Sequence, residues 1–180
     1  MDQFNRPDWD SYFMAMAFVA SSRSLDPDTS HGCIITKNNK LIASGYNGPP
    51  RDLDDAKIPL TRPEKYYFFT HAEDNSITNA DQSDLTGATV YITGYPCHRC
   101  FRMLLNKKVA KIIYGCVGSK MIDHADLAAT QLMLSIQKSS NPTQLIAYPG
   151  DKFIEVLKNT IQYYEEKCGG HEVVAVEKKM

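Results

Sequence analysis

Two short clusters, His71-Ala72-Glu73 and Pro96-Cys97-His98-Arg99-Cys100, each open a predicted helix, so the fold must bring two distant helix N-termini to one point if they act together. One imidazole and two thiolates, from His71, Cys97 and Cys100, suit Zn²⁺ and leave one of its four tetrahedral positions open. Two thiolates balance the charge of the ion, and exposed helix N–H groups favour anionic ligands. Water in the open position would fall from a pKa of about 16 towards roughly 7. Glu73, two residues after His71, does not share its helix face. It reads as a carboxylate that reaches the water and moves its proton, not as a fourth ligand. Cys97-x-x-Cys100 alone leaves redox and structural-metal readings open, and His71-x-Glu73, 26 residues upstream, tilts the pattern towards catalytic zinc.

Around these clusters the chain alternates strand and helix. Residues 7–22 carry Phe13, Met16, Ala17 and Ala20 at helical spacing behind the capping candidate Asp8. Two β-like runs, 32–36 and 41–46, flank the polar turn 37–40 and predict an antiparallel hairpin. Residues 47–62 are rich in Gly, Pro and Asp without a period, a length of loop that suggests function. A helix over about 70–80, a strand at 89–93 and a helix from about Cys97 follow. A strand at 111–114, a helix over 126–137, a strand at 144–147 and a helix over 151–167 complete the order. The expectation is α/β: a three-layer α/β/α sandwich on a mixed sheet of about five strands, parallel in its second half. One domain spans 1–168, and a polar tail spans 169–180.

Lys and Arg number 20 against 21 for Asp and Glu among 180 residues. That balance offers no excess positive charge for a nucleic acid and favours a small substrate. No apolar run is long enough to span a membrane, and the start Met1-Asp2-Gln3 lacks a secretory pattern, so a cytoplasmic location is expected.

The ordered motifs carry a resemblance. Tyr12-Phe13-Met14-Ala15-Met16-Ala17, Arg23-Ser24-Leu25-Asp26-Pro27-Asp28-Thr29, Gly45-Tyr46-Asn47-Gly48-Pro49-Pro50, His71-Ala72-Glu73-Asp74-Asn75 and Pro96-Cys97-His98-Arg99-Cys100 stand in the order found in one family. Over about residues 9–146 the chain resembles the deoxycytidylate (dCMP) deaminases of the cytidine deaminase superfamily. The resemblance implies zinc-dependent hydrolysis of dCMP to dUMP and ammonia, feeding thymidylate synthesis. It assigns zinc to His71, Cys97 and Cys100, proton transfer to Glu73, and contact with the deoxyribose and base region to Asn47, with Ala72 beside it. Arg23 and Ser24 are the candidates for the 5′-phosphate. It further implies a homohexamer activated by dCTP and inhibited by dTTP through the loop holding Gly45, Arg51 and Asp55, with Mg²⁺ accompanying a triphosphate effector.

Departures and competing readings stand beside this. Ser76 replaces the usual Ala, Phe101-Arg102 replaces a common Ala-Lys, and residues 115–121 offer no aromatic ring for the pyrimidine. Alternative functions are deamination of a base in single-stranded nucleic acid or tRNA, and a catalytically silent zinc-stabilised nucleotide-binding module. Asn47 by itself reads as a turn residue, and Arg23 and Ser24 as a solvated helix end. His98 reads as surface or ligand-supporting. Tyr66-Tyr67-Phe68-Phe69 reads as core and subunit contact. Cys33, Cys116 and Cys168 read as inert thiols, and His31, His124 and His171 carry no spacing signal.

Overall fold

A computed structural model of the chain describes residues 6–81, 84–117 and 123–168. The expected tail, His171 and the loop positions 118–121 lie outside them. Five strands form one mixed sheet in the order β2-β1-β3-β4-β5, where β1 is Gly32–Lys37, β2 Lys40–Tyr46, β3 Thr89–Gly94, β4 Lys111–Val117 and β5 Gln144–Ala147. β1 runs antiparallel to β2 and β3, whereas β3, β4 and β5 are mutually parallel. The expected three-layer sandwich is what forms.

Local chemistry explains the elements. Asp8 caps α1 (Trp9–Ser21) by accepting the Ser11 N–H at 2.8 Å. Asn38 and Asn39 turn the β1–β2 hairpin with φ of 52° and 57°, a left-handed pair that asparagine tolerates. One face of the sheet meets α1 and α5 (Lys152–Cys168) through Phe13, Met14, Ile34, Tyr91 and Phe153. The other meets α2 (Ala72–Asn79), α3 (His98–Asn106) and α4 (His124–Ser135) through Val90, Ile92, Phe101, Leu104 and Ile112. Burying these apolar side chains on both faces fixes the helices against the sheet, and so fixes where α2 and α3 begin.

Two expectations need correction. α2 starts at Ala72 rather than near residue 70, because residues 70 and 71 stay extended, with Thr70 bridging Gly48. The aromatic run is not core: Tyr66, Tyr67 and Phe68 are exposed, Tyr67 by 85%. A 3-10 turn over Glu64–Tyr67 turns their rings outward, and the side chain it buries is the cation Lys65.

Candidate active site

His71 and Cys97 occupy the same structural position, the residue just before the first turn of α2 and of α3. Their backbones are nearly identical, φ −71° and ψ 156° for His71, φ −65° and ψ 159° for Cys97. Neither side chain caps its own helix, so both are released towards a shared point. Cys100 enters from the first turn of α3. His71 Nδ1 lies 3.5 Å from Cys97 Sγ and 3.4 Å from Cys100 Sγ, and all three donor atoms fall within 4.8 Å of one another.

This donor set fits zinc. With Zn–S near 2.3 Å and Zn–N near 2.05 Å, tetrahedral geometry places N and S donors about 3.5 Å apart. Without an ion the three groups share protons. Hydrogen bonding from Cys100, then from His71, draws the Cys97 thiol down to about 4 despite its burial. Hydrogen bonding with Cys97 lifts His71 to about 9. Cys100 is pushed up by its bond to Cys97 and by burial.

Beside the donors lies a cleft of about 370 Å³, within the range of small-ligand sites. Glu73 lines it and is only 5% exposed. Burial raises its pKa, against the lowering charge of His71, the direction that suits a carboxyl which must give a proton as well as take one. Asn47 also lines the cleft, with its amide engaged. Its Oδ1 accepts the His31 N–H at 2.7 Å, while Nδ2 donates to the Thr29 carbonyl at 3.0 Å and reaches Asp26 at 3.5 Å. Asn47 therefore shapes the wall formed by residues 26–31. Ala72 lines the cleft next to Glu73.

Arg23 and Ser24 are not in the cleft lining. The Arg23 guanidinium stacks 5.9 Å over the Tyr46 ring, and Ser24 Oγ accepts the Asp26 N–H. Among the described residues the cations that line the cleft are Arg62 and Lys65. Gly45 sits where β2 meets α2: a side chain there would lie 2.5 Å from the Ser76 nitrogen and 2.6 Å from the Ala72 carbonyl. Arg51 is exposed and donates to Asn79 at 2.8 Å, and Asp55 begins an exposed 3-10 turn. His98 bonds Asp126 of α4 through both its backbone N–H and its ring, a contact between the α3 and α4 starts at the cleft rim.

Sequence reasoning missed three kinds of residue in this cleft. Tyr66, Phe69 and Tyr95 give it aromatic walls, although Tyr95 directly precedes the Pro96-Cys97 signal. Lys65 had no signal, since a single lysine among tyrosines reads as solvated. His31 lines the cleft, and burial first, with His71 second, holds its imidazole below the ordinary histidine pKa.

Comparison with known proteins agrees with this geometry. The family model for the cytidine and deoxycytidylate deaminase zinc-binding region matches residues 7–116. The deoxycytidylate deaminase of Homo sapiens is 32% identical over 136 residues, covering 72% of this chain and 75% of that protein. The probable deoxycytidylate deaminase of Caenorhabditis elegans is 36% identical over 135 residues, covering 68% of each. In fold, the chain superposes on the dCMP deaminase of cyanophage S-TIM5, solved in complex with dCMP and dUMP, with a TM-score of 0.60 at 20% identity, over 81% of this chain and 100% of that one.

Proposed function

The chain belongs to the family of cytidine and deoxycytidylate deaminases, and from that membership we propose that it hydrolyses dCMP to dUMP and ammonia, with zinc held by His71, Cys97 and Cys100. The observation that carries this reading is a His/Cys/Cys donor set at tetrahedral spacing with a buried carboxylate, Glu73, in the adjoining cleft. Zinc, when bound, supplies Lewis-acid activation of the attacking water.

The chain's own groups do the rest. As water adds to C4 of the pyrimidine, Glu73 takes one of its protons and delivers it to ring N3, where it stays, and then carries the remaining hydroxyl proton to the exocyclic amine. The C4–N bond breaks, ammonia leaves, and the new C4 oxygen becomes the carbonyl of dUMP. Asn47 holds the 26–31 segment against the nucleotide, and Ala72 adds a backbone surface beside Glu73. For the 5′-phosphate, Arg62 suits the role better than Arg23 and Ser24, because its exposed guanidinium lines the cleft and pairs with Asp28 through Nε at 3.1 Å.

Glu73→Gln tests the assignment: zinc content stays at wild type while ammonia release from dCMP falls by at least 10²-fold. Retained turnover would remove Glu73 from the chemistry, and a wild-type protein that releases no ammonia from dCMP would remove the substrate.

Control by dCTP and dTTP, with Mg²⁺ on the triphosphate, a homohexameric assembly and a cytoplasmic location belong to the same proposal. The effector control rests on the loop around Arg51 and Asp55, whose side chains are exposed, and the assembly and location rest on the family resemblance and the sequence. Activation by dCTP at low dCMP supports this; a hyperbolic response unchanged by either triphosphate rejects it. No helix among the described residues is long and apolar enough to cross a membrane.

A further inference from the structure

We propose that His31 is a specificity-determining residue of the cleft, fixed by Thr93 as the Nε2–H tautomer so that it presents one neutral N–H donor to an oxygen of the bound nucleotide. The inference rests on the deaminase reading for the nature of the ligand, and on geometry for the donor.

Three contacts hold the imidazole. Its backbone N–H is bonded to Asn47 Oδ1 at 2.7 Å. Its Nδ1 lies 3.2 Å from Thr93 Oγ1. Its Cε1 occupies the space above Gly94, where any Cβ would come within 2.6 Å of it. Thr93 lies where the β3–β4 register shifts between Ile92 and Gly94, an irregularity of the kind that re-aims side chains beside active sites.

The tautomer follows from counting hydrogen-bond capacity. Thr93 is fully buried, and among the described residues its hydroxyl oxygen has two partners, the Gly32 N–H at 3.1 Å and His31 Nδ1. The Gly32 contact uses an acceptor lone pair. The hydroxyl proton needs an acceptor of its own, and among the described residues His31 Nδ1 is the one in reach. Nδ1 therefore accepts, and the ring proton sits on Nε2. With Nδ1 engaged by Thr93, Nε2 is the ring nitrogen left to face the cleft that His31 lines, and it has no partner among the described residues. A clamped, uncharged donor beside the nucleotide recognises an acceptor oxygen, either a pyrimidine or sugar oxygen or one on the phosphate.

The zinc-loaded enzyme provides the test. The ¹⁵N shifts of the His31 ring should show protonated Nε2 and bare Nδ1, a pattern kept in Thr93→Ser and lost in Thr93→Val. His31→Leu should lower kcat/KM for dCMP roughly tenfold, mainly through KM, at unchanged zinc content. His31→Gln, whose amide N–H falls near the position of Nε2, should recover most of that loss. If the Leu penalty disappears on deoxycytidine, the partner is the phosphate; if it persists, the partner is on the nucleoside. A protonated Nδ1, a His31→Leu enzyme as active as wild type, or a His31→Gln enzyme no better than Leu would each overturn the proposal. Because the tautomer is read without turnover, these outcomes are separable from a wild-type protein that is simply inactive on dCMP.

Discussion

Lys65 Nζ lies 2.7 Å from Asp26 Oδ1, and the lysine side chain is only 1% exposed. A second carboxylate, Asp28, closes on the same ammonium at 2.6 Å. The pair ties the 3-10 turn over Glu64–Tyr67 to the segment that leads into β1, and both residues line the candidate active site. Removing one member of a buried pair strands the other, so Lys65→Met should destabilise the fold by about 3 kcal/mol, the lower end of the range because Asp28 is half exposed. Urea unfolding of the zinc-loaded protein measures it, and a loss below about 1 kcal/mol would contradict the role given to this lysine.

The same pair sets a pH dependence. Burial raises the Asp26 pKa, but the hydrogen bond from Lys65 and the N–H groups of Asp28 and Thr29 outweigh it and leave the carboxyl below its ordinary value of 3.8. A carboxyl depressed in the folded state adds stability that is fully present above the unfolded pKa and is lost as pH falls through the folded one. Lys65 runs the other way: against burial, its bonds to Asp26 and Asp28 raise it above 10.5, so its contribution is complete below that value and fades above it. The stability gap between wild type and Asp26→Asn should therefore be flat from about pH 5 to 9 and shrink below about pH 4. A gap that persists unchanged at pH 2.5 would show that the ionic pair is not its source.

How far the chain could be read before folding differs by kind of residue. The order of elements, the hairpin and the meeting of His71 with Cys97 and Cys100 were legible, because periodicity and ligand spacing are local signals. Residue 71 as the position before α2, and residue 97 before α3, were nearly so, each being displaced by a turn fragment at most. Lys65 and His31 were not legible, since what makes them notable is a partner 39 residues away in one case and 62 in the other. Likewise, an aromatic run resembles core in any window, and only the 3-10 turn that buries Lys65 determines that Tyr66 and Tyr67 face outward.

Gly45 separates packing from regulation. A methyl group there would sit 2.5 Å from the Ser76 nitrogen and 2.6 Å from the Ala72 carbonyl, contacts that backbone cannot relieve without moving α2 off the sheet. Because α2 carries His71 at its start and Glu73 in its first turn, the shift would reach the metal donors. Gly45→Ala should cost about 2 kcal/mol or more and weaken zinc retention together. Thermal melting and zinc content after dialysis check both, and a variant as stable as wild type that had lost only its response to dCTP would instead place Gly45 in an effector site.

Metal removal should loosen the protein locally without unfolding it. Phe101, Leu104, Val90 and Ile112 are wholly buried and hold α3 to the sheet without using the donors, so the core does not depend on the ion. What depends on it is the junction of the α2 and α3 starts, where His71, Cys97 and Cys100 converge. Zinc at about a hundred times its dissociation constant adds about 2.7 kcal/mol, which for a chain of this size corresponds to roughly 5–10 °C in Tm. Chelation should therefore lower Tm by that amount, with hydrogen exchange rising in the first turns of α2 and α3 while β1, β3 and β4 keep their protection. Added Zn²⁺ should reverse both changes. Loss of protection across the whole sheet would mean that the fold itself is metal-dependent, and no change at the two helix starts would mean that zinc binds elsewhere.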